Sequence, residues 1–238
     1  MKIQTGAKVL AETVQTVAGG VKLQVERKGE TLELSAEKAL VCVGRQANVE
    51  GIGLENTDIK VVGGFIQVND YMQTAESHIY AVGDCIGGVQ LAHAAAHEGI
   101  IAAEHAAGGR PHLYPASRIP RCVYTRPETA SVGWTQRQAE EQGFEVKTSK
   151  VHFKALGKAL VAGETDGFVK IIADQRTNDI LGVHMIGAHV TDYISEAALA
   201  QMLEATPWEV GQTIHPHPTL SEILGEAMLA VDGKSIGF

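Results

Sequence analysis

Near the carboxyl end stands the stretch His215-Pro216-His217-Pro218-Thr219-Leu220-Ser221-Glu222. Each proline fixes its own φ and restricts the residue before it, so the backbone is stiff on both sides of His217. An imidazole titrates near neutrality, and one held this rigidly suits proton transfer. Glu222 falls in the first turn of an expected helix, where its carboxylate can reach back, fix one ring tautomer and stabilise imidazolium. The same Thr219-Leu220-Ser221-Glu222 is also a capping box, in which the Thr hydroxyl and the Glu carboxylate satisfy free helix N–H groups. Residue types alone leave both readings open. His215, one proline earlier, reads as a packing or surface residue.

Other residues with chemical potential carry weaker signals. His93 and His97 share one face of an expected helix, but two ligands without a third do not make a metal site, so they read as surface or ligand-adjacent histidines. Asp84 follows an apolar run and either caps the next turn or accepts a hydrogen bond from a cofactor hydroxyl. Gly51-Ile52-Gly53-Leu54-Glu55-Asn56 begins like a dinucleotide fingerprint, yet Asn holds the last place and no strand leads straight into a helix there. Cys42, Cys85 and Cys122 stand far apart with no C-x-x-C pair, so they read as small buried apolar residues, not as a disulfide framework or zinc site.

The elements that must position these residues fall into three segments. Residues 1–44 alternate at period two with Gly-bearing turns, the signature of an antiparallel meander, and are too few for a core of their own. In residues 45–113 and just before them, two apolar runs, Ala39 to Val43 and Ile79 to Asp84, read as parallel strands buried on both faces. A long Ala-rich helix follows from Leu91 to Ala107, stopped by Gly108-Gly109-Arg110-Pro111. Residues 114–238 read as an α+β unit. Its expected strands are Thr129 to Val132, Val146 to Phe153, Gly167 to Ala173 and Ile180 to Ile186. Its expected helices are Thr135 to Gln142, Asp192 to Glu204 and Thr219 to Val231. The turn Asp174 to Asp179 closes a hairpin, so the sheet should be antiparallel with helices on one side. The fold class is thus an α+β domain with an antiparallel sheet, preceded by partial α/β nucleotide-binding segments.

Composition excludes several classes. With 238 residues, 45% hydrophobic and 20% charged, the chain fits one or two globular cores and not a disordered or collagen-like polymer. Apolar stretches break well short of the roughly 20 residues needed to cross a bilayer. A net charge of −8 without a Lys/Arg cluster argues against nucleic acid as a partner. A cytoplasmic or organelle-matrix protein without a membrane partner is the expectation.

The chain resembles the C-terminal half of the pyridine nucleotide–disulfide oxidoreductase family, essentially end to end. Val41-Cys42-Val43-Gly44-Arg45 resembles the strand leaving its NAD domain. Ile79-Tyr80-Ala81-Val82-Gly83-Asp84 resembles its second flavin motif, and Leu91-Ala92-His93 the start of its flavin-flanking helix. Tyr124 to Gly133 resembles the opening of its interface domain. His217-Pro218-Thr219-Leu220-Ser221-Glu222 is the most specific match and favours the branch that oxidises dihydrolipoamide.

The resemblance implies an NAD-domain remnant over 1–44, a second FAD-domain segment over 45–113 and an interface, or dimerisation, domain over 114–238. It implies FAD and NAD as cofactors, with Asp84, Leu91, Ala92 and His93 near the flavin. His217 would be the acid–base group, Glu222 its orienting partner and the His217-Pro218 peptide cis. The implied partners are a second copy in a homodimer, whose disulfide His217 serves, and the lipoyl domain of a 2-oxo acid dehydrogenase complex. The family's redox Cys pair and its flavin and NAD loops match nothing in this sequence, so the chain is expected to be inactive alone. Another flavin disulfide or quinone reductase, or a non-catalytic dimerisation module, are the alternatives. Ala47 and Cys85 are small departures from the family pattern.

Overall fold

The computed structural model describes residues 2–237; Met1 and Phe238, the outer bounds of the first and last expected segments, lie outside the described residues. The chain divides into two compact units, 1–46 and 47–238.

In the first unit, β1 (Lys8–Val17), β2 (Gly20–Arg27) and β3 (Glu30–Ala36) form the expected antiparallel meander, with Val25 opposite Val9 and Leu32. Val25 is buried, whereas Val9, Val14, Leu32 and Leu34 stay exposed, as befits a ribbon without a second layer. The expected strand over Ala39 to Val43 is not formed, and Leu40 and Val43 are 89% and 90% exposed. A parallel strand must exchange hydrogen bonds with neighbours, and none lies beside this run among the described residues. For the same reason Cys42 is exposed, not packed as a small buried residue.

The second unit opens with a short ribbon, β4 (Val61–Val62) paired with β5 (Phe65–Ile66). The expected strand over Ile79 to Asp84 is also absent: Tyr80 makes an isolated bridge to Gln73, and Gly83–Ile86 is a 3-10 turn. Helix α1 (Ala92–Ala106) ends as read, with Gly108 at φ +82° and the Gly109 N–H donating to the Glu104 carbonyl at 2.8 Å. That left-handed step followed by a six-residue closure is a glycine stop.

The rest of this unit is a five-stranded antiparallel sheet. Its strands are β6 (Arg121–Val123), β7 (Glu128–Gly133), β8 (Val146–His152), β9 (Phe168–Asp174) and β10 (Ile180–Gly187), in the order β6-β7-β10-β9-β8. The Asp174 to Asp179 turn joins β9 to β10 as the sequence predicts, with the Asp174 carboxylate accepting from the Arg176 N–H at 3.0 Å.

The helices are α2 (Gln136–Glu141), α3 (Gly157–Ala162), α4 (Val190–Met202), α5 (Pro207–Gln212) and α6 (Glu222–Ala230). Val132, Ile171 and Val183 on one sheet face pack with Ile194 of α4 and Leu224 of α6. Neighbouring strand residues point to opposite faces, and Ile172 instead packs with Leu181 and with Ala139 of α2. Helices therefore cover both faces, not one. Burial of each large side chain in the main core contributes about 1.5–3 kcal/mol, and Ser149 of β8 donates to the Ala227 carbonyl at 2.6 Å, pinning α6 to the sheet.

Phe153 is fully buried, and its ring fills the space beside the backbone of Gly187. Phe153→Ala should lower the unfolding free energy in urea by about 3–5 kcal/mol; a loss below about 1 kcal/mol would contradict this core assignment.

Candidate active site

The connection between α5 and α6 carries the proline-bracketed histidine. Pro216 and Pro218 lack N–H donors, so this stretch can neither prolong α5 nor add a strand to the sheet. It is held by local hydrogen bonds instead. The Thr219 hydroxyl donates to the Pro216 carbonyl at 2.7 Å, and the Thr219 N–H donates to Glu222 Oε2 at 2.7 Å. The His217-Pro218 peptide is cis.

Glu222 Oε1 lies 2.8 Å from His217 Nδ1. The two readings of this motif are therefore not exclusive, since one carboxylate oxygen secures the backbone ahead of α6 and the other holds the imidazole. The Thr219 hydroxyl makes no helix cap, so only the Glu half of the capping box forms. The His217 side chain is 78% exposed and that of Glu222 only 20%. Partial burial of Glu222 works against its charge, but the Thr219 N–H and the His217 ring outweigh it and hold the carboxyl below the usual carboxylate range. An ionised Glu222 only accepts hydrogen bonds, so Nδ1 carries the proton. In the neutral ring Nε2 then offers its lone pair outward. An exposed imidazole with a fixed tautomer and an anionic partner can accept and return a proton.

His215, read as packing or surface, is a packing residue: its side chain is only 10% exposed, with Nε2 at 2.9 Å from Glu196 Oε1 on α4. The hydrogen bond to Glu196 leads the effects that raise its pKa, against an opposing effect of burial. Sequence reasoning did not single out Glu196. Gly225 inside α6 hints at a close approach, and its neighbour is the His215 ring, but no signal in the residue order points to Glu196.

The expected cofactor-side residues lie elsewhere in the same unit. Asp84 is exposed within the 3-10 turn, not at a strand end, and its carbonyl accepts from the Gly87 N–H. The Gly83 N–H donates to Glu98 Oε2 of α1 at 2.7 Å, which ties this turn to the helix. Leu91 is the extended residue ahead of α1 and supplies no side-chain cap, and Ala92 and His93 are exposed at the helix start. Free first-turn N–H groups beside small residues fit the approach of a polar or anionic group. His93 Nε2 meets the Pro120 carbonyl at 2.8 Å, and His97 packs against Tyr114. A cleft of about 760 Å³ lies between α1 and α4, lined among others by His93, His97, Ile194 and Ala198. His217 and Glu222 do not line it, so the structure does not gather all six expected residues into one place.

Two models of one family account for most of the chain. Residues 1–99 match "Pyridine nucleotide-disulphide oxidoreductase" and residues 119–228 match "Pyridine nucleotide-disulphide oxidoreductase, dimerisation domain". The chain belongs to the pyridine nucleotide-disulphide oxidoreductase family.

Within that family it is 63% identical over 234 residues to a dihydrolipoyl dehydrogenase of Bacillus subtilis, covering 98% of this chain and 49% of the relative. It is 46% identical over 202 residues to the dihydrolipoyl dehydrogenase of Zymomonas mobilis, covering 84% of this chain and 43% of the relative. The chain thus spans about half the length of the curated relatives it matches. Among solved structures it is similar to LpdA of Mycobacterium tuberculosis, with TM-score 0.85 and 29% identity over 94% of this chain and 48% of that one. The HOCl-induced flavoprotein disulfide reductase RclA of Escherichia coli shares the fold, with TM-score 0.83 and 24% identity over 93% of this chain and 49% of that one.

A carboxyl whose folded-state pKa is depressed adds stability above its unfolded value, and that gain is lost as pH falls through the folded value. Glu222→Gln should therefore lower the thermal midpoint at about pH 7, and the gap should close below about pH 4. A gap that is flat with pH, or that widens in acid, would contradict the hydrogen-bonded carboxylate.

Proposed function

We propose that this chain is the C-terminal half of a flavin-dependent disulfide oxidoreductase that oxidises dihydrolipoamide with NAD+, and that it contributes the acid–base pair and the dimer interface. The observation that carries this reading is the 2.8 Å contact between the exposed His217 ring and Glu222 in a chain of the pyridine nucleotide-disulphide oxidoreductase family. Resemblance to the lipoamide branch and 63% identity to a dihydrolipoyl dehydrogenase of Bacillus subtilis support dihydrolipoamide as the substrate.

The residue types suit the reaction. A thiol of pKa about 8.5 is mostly protonated at neutral pH and attacks a disulfide only as thiolate. His217 Nε2 takes the thiol proton while Glu222 stabilises the resulting imidazolium through Nδ1. The thiolate sulfur then bonds to one sulfur of a cysteine disulfide, the S–S bond breaks, and the second cysteine leaves as thiolate. The His217 imidazolium then gives its proton to the released cysteine sulfur and, neutral again, takes the proton of the substrate's second thiol. That thiolate attacks the substrate sulfur of the mixed disulfide, the remaining cysteine leaves as thiolate, and lipoamide and a reduced cysteine pair result.

FAD, when bound, supplies the two-electron redox chemistry that links this dithiol to NAD+. On this chain, Asp84 would hold a polar part of the flavin cofactor, and the backbone from Leu91 to His93 would flank its ring. The exposed turn at Asp84 and the uncapped start of α1 fit that role.

The disulfide belongs to a second copy, so the site needs a two-fold dimer. Large apolar side chains left exposed at the end of α4, on α5 and in the loop ahead of His215 support such an interface: Leu203 is 68% exposed, Trp208 53% and Ile214 95%. A lipoyl domain of a 2-oxo acid dehydrogenase complex would bring the substrate. A cytoplasmic or organelle-matrix location belongs to this reading through the similarity to bacterial dihydrolipoyl dehydrogenases; no helix among the described residues is long and apolar enough to cross a membrane.

In the full-length protein, His217→Gln should cut lipoamide turnover by about 10²–10⁴-fold while flavin absorbance is retained. Near-normal turnover would defeat the assigned role. Sedimentation of this chain at micromolar concentration should give a dimer, and Ile214→Asp should shift it to monomer; a wild-type chain that is only monomeric would remove the interface from the proposal.

A further inference from the structure

The loop that carries His217 has a second anchor. Along residues 214–217, exposed and buried side chains alternate sharply: Ile214 is 95% exposed and the His217 side chain 78%, yet the His215 side chain between them is only 10% exposed. Its Nε2 pairs with Glu196 Oε1 at 2.9 Å, and the Thr213 backbone is a further hydrogen-bond partner. The ring lies directly on the backbone of α6 at Gly225. A Cβ added there would sit 2.8 Å from both Nδ1 and Cε1 of His215, closer than carbon atoms pack, so any larger residue must push the ring away.

Gly225 follows Glu222 by three positions, which puts both on one face of α6, a turn apart. His217 is thus held at the first turn of this helix and His215 against the next. A single residue, Pro216, separates the two rings and fixes the backbone between them.

We propose that His215 is a positioning residue for His217: wedged between Glu196 of α4 and the bare backbone of α6 at Gly225, it fixes the loop so that His217 meets Glu222. This rests on the reading of His217 as the proton-transfer group. His215 faces away from solvent and touches no reacting atom; it acts by restricting where Pro216 and Pro218 can carry the neighbouring ring. Without the wedge, an exposed imidazole on an otherwise solvated loop keeps its carboxylate contact for only part of the time, and a base that is misplaced for part of the time loses rate, not substrate affinity. The raised pKa of His215 is consistent with the wedge, because its hydrogen bond to Glu196 strengthens when the ring is charged.

Two variants test this. Glu196→Gln removes the charged partner without adding bulk, and Gly225→Ala drives the ring off α6. In this chain, imidazole nitrogen NMR should show His217 in one tautomer, with the proton on Nδ1, in the wild type. Both variants should show averaged tautomers for His217 while far-UV circular dichroism stays unchanged. In the full-length protein, both should lower kcat by on the order of 10- to 100-fold, with KM within about 2-fold and flavin retained. A merely structural role would move the unfolding midpoint and leave the His217 tautomer and kcat alone, and that result would overturn the proposal. Should Gly225→Ala fail to fold, Glu196→Gln decides alone. The tautomer is read without any turnover, so the wedge can stand if His217→Gln proves active, and it can fall while the catalytic reading stands.

Discussion

The site depends on one carboxylate with two tasks. Glu222 begins α6, and its oxygens face different groups: Oε2 takes the Thr219 N–H at 2.7 Å and Oε1 takes His217 Nδ1 at 2.8 Å. The first contact secures a backbone donor just ahead of a helix start, where a negative charge is also favoured by the helix dipole. The second sets the tautomer of the imidazole. Because the ionised form favours both interactions, the two contacts reinforce each other: whatever keeps the helix start intact also keeps Nε2 free of a proton in the neutral ring.

The remainder of the 47–238 unit supplies the rigidity that this arrangement needs. Helix α6 is held to the sheet by Leu224, Ala227 and Met228 in the main core and by the Ser149 hydroxyl on the Ala227 carbonyl. Helix α4, which contributes to the same core, presents Glu196 to His215. The loop itself contains no regular secondary structure, yet it is tied at His215, Thr219 and Glu222 to elements that cannot move independently of the core. Rigid elements beneath and an exposed ring above leave His217 Nε2 facing outward from a fixed base.

Much of this was legible from residue order because the signals were local. Alternation found the meander and strands β7 to β10, and the Gly-Gly-Arg-Pro stop found the end of α1. Proline bracketing and helix-start chemistry offered the His217 and Glu222 pair beside a plain capping box, and the family resemblance favoured the pair. What failed depended on partners distant in sequence. Val41 and Tyr80 sit in runs that look like buried parallel strands, but a strand exists only beside another, and none pairs with the run at Val41 among the described residues. The second face of the sheet was missed because Ala139, a small residue on a short helix, is a faint marker of burial. Helix α5 was missed despite strong local marks: Thr206 and Glu209 form a capping box with Pro207 at the first turn. Glu196 could not be found from order alone, since its partner His215 lies 19 positions away on a different element.

In the proposed dimer, His217 presents Nε2 to a cysteine sulfur of a second copy. A crystal structure of the full-length protein as a dimer tests it most directly. His217 Nε2 should lie within about 4 Å of a cysteine sulfur across the two-fold axis, or be joined to it through one water, with Nδ1 still on Glu222. A ring that faces solvent or its own subunit, far from any sulfur, would contradict it.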